Sequence, residues 1–143
     1  MKITQISVSL ENKKGRLHEA ARLLGEAGID IKTLTIAENE KFGVLRMIVD
    51  KPDEAVATLK AHNFVASITD IVAVEVDDHP GGLAKILKIF DENEINVEYM
   101  YAFVEKSADK AILVFRFDDI DKAIAVLVKN KIRVVGKKDI SHL

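Results

Sequence analysis

The sequence predicts an α+β protein made of two copies of one small βαββαβ unit, residues 1–70 and 71–143, side by side. Three observations predict it. The first half maps onto the second at a fixed offset, the strand segments alternate apolar and polar residues, and the helical segments carry apolar residues at three- and four-residue spacing. At an offset of 66, Val8 falls on Val74, Gly15 on Gly81, Leu17 on Leu83 and Ile29 on Ile95. Past the central hairpin the offset becomes 68, and Leu45 falls on Leu113, Asp50 on Asp118, Asp53 on Asp121, Ala55 on Ala123 and Leu59 on Leu127. A long repeat present only twice means a duplicated domain rather than a solenoid.

Each element follows in order. Ile6, Val8 and Leu10 alternate with Ser7 and Ser9, the pattern of a half-buried strand, and Val72, Val74 and Val76 repeat it. A glycine-containing turn leads into a helix. Its apolar face is expected to be Leu17, Ala20, Ala21, Leu24 and Ala27 in the first copy, and Leu83, Ile86, Leu87 and Phe90 in the second. Gly28 suits the end of the first helix, and Glu94 takes that place in the second. Strands are expected around Ile31–Glu38 and Val44–Val49, then Val97–Glu105 and Ala111–Phe117, joined by polar hairpins. Asp50 and Asp118 are expected to cap helices near Asp53–His62 and Asp121–Lys129. Final strands follow near Val65–Thr69 and Arg133–Gly136. This order is the split-βαβ, ferredoxin-like plan, with helices on one face of an antiparallel sheet. No linker separates the copies, because Val65–Val76 runs from the last strand of one into the first of the next.

Composition narrows the function. The net charge is -2, which disfavours nucleic acid, where a basic face is expected. There is no cysteine, so disulfides and thiolate metal sites are excluded and a cytoplasmic location is expected. The opening residues lack the apolar stretch of a signal peptide, and no apolar run is long enough to span a bilayer, so no membrane partner is expected. The segment Tyr99–Val104 is apolar on both faces, as is Ala111–Phe115. Strands of that kind are usually covered on both sides. A homodimer through the sheet of the second domain is therefore expected.

The chemistry concentrates in the two strand-to-helix loops, residues 11–17 and 77–83. Glycine lets backbone approach a ligand closely. The free N–H groups and the dipole of the following helix favour an anion such as a carboxylate. Asn12 and Asp78 precede those N–H groups and suit an ammonium. One loop thus offers both halves of an amino-acid site. The bland alternative is an Asn or Asp that merely caps a helix.

At these residues the chain resembles tandem ACT-domain proteins over nearly its whole length. The family's loop commonly reads Asn/Asp-x-Pro-Gly-x-Leu. Asp78-His79-Pro80-Gly81-Gly82-Leu83 is similar throughout, whereas the first copy has Asn12, Gly15 and Leu17 but Lys14 in place of proline. Gly28-Ile29-Asp30-Ile31 and Glu94-Ile95-Asn96-Val97 resemble the family's helix-to-strand junction. The resemblance implies an amino-acid-sensing regulatory module, with the loop of one domain facing the second strand of another. Carried over, loop Asn12–Leu17 would face Asn96 and Val97, and loop Asp78–Leu83 would face Asp30 and Ile31. Lys14 and Arg16 lie in the first of these sites. The second, with Asp78, His79 and Asp30, is expected to hold an ammonium more strongly. Gly81→Val is expected to abolish binding and leave the fold intact.

Catalysis finds no support in the sequence. His18, His62, His79 and His142 show no metal-binding spacing, and no nucleophile elbow, phosphate loop or dinucleotide fingerprint occurs. No metal or cofactor is expected. The leading expectation is a regulatory protein that binds a free amino acid and acts in trans on a metabolic enzyme or transporter. Three alternatives remain: a small enzyme on a ferredoxin-like scaffold, the regulatory subunit of an amino-acid biosynthetic enzyme, and an RNA-binding sheet using Tyr99, Tyr101 and Phe103.

Overall fold

The computed structural model of the chain describes all residues except Asn12, 39–41, 104–108 and 142–143. The tips of both central hairpins, Val104 and His142 therefore lie outside the described residues. The element order is β1 (Ile3–Glu11), α1 (Arg16–Glu26), β2 (Ile31–Glu38), β3 (Phe42–Val49), α2 (Pro52–Ala61), β4 (Val65–Asp77), α3 (Gly82–Glu92), β5 (Val97–Ala102), β6 (Lys110–Phe117), α4 (Ile120–Lys129), β7 (Val134–Val135) and α5 (Lys137–Ser141). Two compact units result, Thr4–Thr69 and Asp70–Leu143, the latter joined by Met1–Ile3.

In the first unit β3 lies between β1 and β2, antiparallel to both. The register sets Ile6 opposite Met47 and Val8 opposite Leu45, so these alternate residues share one face. That face packs against Ala20, Leu23 and Leu24 of α1 and Ala55 and Leu59 of α2. Leu23 belongs to this core, whereas Leu17, Ala21 and Ala27, expected in it, are exposed. An eleven-residue helix has room for only a narrow buried stripe against one sheet, and Leu23–Leu24 takes it. The opposite face carries Ser7, Ser9, Thr35 and Arg46 beside Val44 and buried Ile48.

The second unit repeats this plan. Antiparallel β6 pairs with both β4 and β5, and β7 adds two residues beside β4. Val72, Val74, Val76, Phe115 and Phe117 meet Ile86 and Phe90 of α3 and Ala123 and Leu127 of α4. Phe90 stands edge-on to Phe115 and Phe117 at 5.4 and 5.1 Å, and those two stack at 5.5 Å. Edge-on and stacked pairs add about 0.5–1.5 kcal/mol each beyond buried area. The opposite face is apolar, with Ala73, Ile112 and Val114 buried. Tyr99 and Tyr101 lie on that face and are half-buried. Within one chain Val97, Tyr99, Met100 and Tyr101 of β5 keep partial exposure.

All four long helices end alike. Gly28 and Asn63 in the first unit, and Glu94 and Lys131 in the second, hold φ of 74°, 67°, 55° and 58°. In each case the next N–H reaches back five residues, as from Ile29 to Leu24 and from Ile95 to Phe90, both at 2.9 Å. This is the Schellman closure, which satisfies carbonyls the helix leaves open. Glu94 thus does the work of Gly28 at some cost in left-handed strain.

The helix starts differ from expectation. Asp50 does not cap α2; Lys51 stands at the cap without a side-chain bond, and Pro52 opens the helix. Asp50 Oδ1 instead accepts the N–H of Asp30 at 2.9 Å. In α4 the cap is Asp119, whose Oδ1 accepts from Lys122 N at 3.1 Å, while Asp118 Oδ1 accepts from Asp119 N. Helix α5 leaves no periodic signal in the sequence, because five residues are too few to show a period. Among the described residues no helix is long and apolar enough to cross a membrane.

Candidate ligand-binding loops

Both loops enter their helices through a left-handed glycine. Gly15 and Gly81 are the N-caps of α1 and α3, with φ of 90° and 88°, and no side chain caps either helix. Asp78 is therefore not an ordinary cap, and Asn12 lies outside the described residues. The backbone closes identically in both loops. Arg16 N donates to Lys13 O at 3.4 Å, and Gly82 N donates to His79 O at 3.0 Å. Leu17 and Leu83, at equivalent places in the first helical turn, are 43% and 41% exposed. They were expected in the core; instead each lies open beside a helix start that attracts an anion.

The left-handed cap also corrects the expectation for Gly81→Val. A Cβ at Gly81 meets nothing within 4 Å, but a β-branched residue at φ +88° is strained. That substitution therefore disturbs the loop as well as any ligand.

Gly82 has another constraint. It is buried, and a Cβ there falls 2.0 Å from the Asp77 carbonyl oxygen. Asp77 accepts from the Lys110 ammonium, and His79 Nε2 lies 3.6 Å from its other oxygen. The Lys110 hydrogen bond holds the Asp77 carboxyl below its ordinary range, and the same bond raises the Lys110 ammonium above its own. What this pair contributes is present above the ordinary carboxylate range and is lost as pH falls through the depressed Asp77 value. Asp78 N donates to Asp109 O at 2.8 Å, which ties the loop to the start of β6. His79 and Pro80 are exposed, and His79 Nδ1 lies 3.0 Å from the Pro80 carbonyl.

The cations of the first loop are mostly engaged by their own unit. Lys13 pairs with Glu11 at 2.9 Å, and its hydrogen bond keeps the Glu11 carboxyl below its usual range. Arg16 pairs with Glu19 at 3.0 Å and lies over the Phe64 ring at 4.0 Å, its Nε buried without a hydrogen-bond partner. Lys14 is exposed. At the β2 end, Asp30 is exposed but its carboxylate pairs with Lys32 at 2.8 Å, and Ile31 is half-buried. In the second unit Asn96 is exposed and Val97 half-buried. The reciprocal backbone link from Asp50 N to Asp30 O recurs from Asp118 N to Asn96 O, at 3.1 and 3.3 Å.

Two ferredoxin-like units, each with a left-handed glycine opening a helix that no side chain caps, make one duplicated module. The family model described as an ACT domain pair matches residues 1–143, and the chain belongs to this family of regulatory ligand-binding domains. No curated protein matches at a significant level. Among solved structures, protein BT0572 from Bacteroides thetaiotaomicron is 39% identical with a TM-score of 0.93, over 100% of this chain and 98% of that one. The ligand-free regulatory subunit of aspartate kinase from Thermus thermophilus shares the fold at 17% identity and TM-score 0.63, over 88% and 91% of the two chains. The corresponding subunit from Thermus flavus does so at 18% identity and TM-score 0.62, over 87% of each.

Proposed function

We propose that the protein senses a free amino acid through its glycine loops and acts in trans on a metabolic enzyme or transporter, each ACT unit (1–70 and 71–143) supplying part of a site. The observation that carries this reading is the repeated left-handed glycine before a helix whose first N–H groups no side chain caps. Those groups suit the ligand carboxylate. In the proposal, Asp78 receives the ammonium, and the second loop is the stronger site because Asn12–Leu17 lacks the proline. Asp30 and Ile31, with Asn96 and Val97, are proposed as the facing strand starts. The aspartate kinase regulatory subunits of the same fold are consistent with a regulatory role.

A thermal-shift screen of the common amino acids tests the proposal. At a hundredfold excess over Kd, a ligand bound only by folded protein adds about 2.7 kcal/mol, a rise of several degrees in Tm. Asp78→Ala should abolish that rise and leave the ligand-free Tm within a degree or two. If no amino acid shifts Tm at millimolar concentration, the sensing role is lost.

We infer a homodimer through the sheet of the second unit, where Tyr99 and Tyr101 on its outer face are only half-buried within one chain. Light scattering should report twice the 15.9 kDa chain mass, and Tyr101→Glu should halve it. A monomer at roughly 100 μM, well above ordinary dimer dissociation constants, would exclude the dimer.

A further inference from the structure

The two units differ at a cleft beside the helix that follows the glycine loop, and the repeat shows why. In the second unit a cleft of about 340 Å³ opens between the start of α3, the end of β4 and the turn from α4 to β7. It shares only Gly82 with the loop Asp78–Leu83. The volume lies at the lower end of small-molecule sites. Four cations line it, Lys85, Lys110, Lys131 and Arg133, against two carboxylates, Glu75 and Asp77. Lys110 is held by Asp77, and Arg133 by Glu75 at 2.7 Å. Among the described residues Lys85 and Lys131 have no ion-pair partner, and the first turn of α3 carries no acidic residue. Two positive charges and the positive end of α3 thus converge on one concave space.

The first unit fills the corresponding space with its own side chain. By the repeat, Gly82 corresponds to Arg16, Lys85 to Glu19, Lys131 to Asn63, Ile132 to Phe64 and Arg133 to Val65. The Arg16 guanidinium lies on Phe64, the counterpart of a wall of the cleft, and pairs with Glu19. One unit therefore holds a built-in cation matched by a carboxylate. The other leaves the space empty by using glycine, and lines it with lysines where its sister has Glu19 and Asn63.

We infer that this cleft is a second site, for a small doubly charged oxyanion such as a phosphate monoester or a dicarboxylate. The α3 N–H groups and Lys85 approach one end of the anion and Lys131 the other. Lys110 and Arg133, fixed by their carboxylates, set the walls. The cleft adjoins the amino-acid loop at Gly82 and draws on the same α3 N–H groups, so an oxyanion bound there competes with the carboxylate of an amino acid.

Titration of the full chain with inorganic phosphate, and separately with succinate, tests this inference. Ionic strength is held constant with sodium chloride, and the readout is the backbone amide shifts of Ala84, Lys85 and Lys131. Saturating shifts confined to these amides are expected in at least one arm. Saturation by phosphate alone assigns the phosphate class, and by succinate alone the dicarboxylates. Lys85→Glu and Lys131→Asn, the residues of the first unit, should each weaken binding at least tenfold with Tm unchanged. Linear shifts in both arms, or equal binding by the variants, would overturn the site. Loss of amino-acid binding in Asp78→Ala leaves this result untouched, so the two proposals fail separately.

Discussion

Phe90→Ala is expected to cost about 3–5 kcal/mol of stability, the usual penalty for emptying a buried aromatic position. Phe90 is 2% exposed and is the one helical ring in contact with both Phe115 and Phe117. Its removal leaves a cavity bounded by two stacked rings on a sheet and by Ile86 on its own helix. Strands paired through a ladder move little, so the space does not close by collapse. The equivalent residue in the first unit is Leu24, also fully buried, and Leu24→Ala should fall in the lower range of about 2–5 kcal/mol. Urea unfolding followed by far-UV circular dichroism measures both. A loss below about 1 kcal/mol for Phe90→Ala, far under the cavity range, would mean that the aromatic cluster does not form as described.

Gly82→Ala is the second large effect, and it is purely steric. The added Cβ falls 2.0 Å from the Asp77 carbonyl oxygen, a backbone atom that cannot rotate away. Either β4 ends earlier or α3 begins later, and the second choice gives up the Gly82 N to His79 O bond that closes the loop. Overpacking of this kind costs about 1–3 kcal/mol, and because backbone must move the upper end is expected. Gly15→Ala supplies the contrast. A Cβ there meets nothing, so its cost is the left-handed φ of 90° alone, about 1–2 kcal/mol. Gly82→Ala should also close the oxyanion cleft, since Gly82 lines it. Thermal unfolding of the two variants side by side separates contact from conformation. A Gly82→Ala protein as stable as the wild type would show that the close approach to Asp77 is absent in solution.

Local pattern was enough for much of this molecule. Strand alternation follows from side chains pointing to opposite faces, so Ile6–Val8–Leu10 and Val72–Val74–Val76 announce both their strands and their buried side. The duplication, the element order and the two glycine loops are properties of residue spacing, and they were legible without coordinates. The family resemblance rested on the same residues. Even the filled and open clefts leave a trace, in the repeat-related pairs Arg16/Gly82 and Glu19/Lys85. Nothing in that trace says that the four positions adjoin Phe64 and Ile132, which are distant in the chain.

Three features were decided only by tertiary structure. The buried stripe of α1 runs through Leu23 and Leu24 and leaves Leu17 outside, because the sheet admits one narrow face of the helix. Asp50 bonds the N–H of Asp30 rather than a helix, because the fold brings the β2 entry, remote in the chain, within hydrogen-bond reach of it. The cleft of the second unit exists because the α3 start, β4 and the turn before β7 converge while Gly82 contributes no side chain. Periodicity is a local quantity and is written along the chain. Which side chain fills a space between three remote segments depends on their packing, and no window of sequence contains all three.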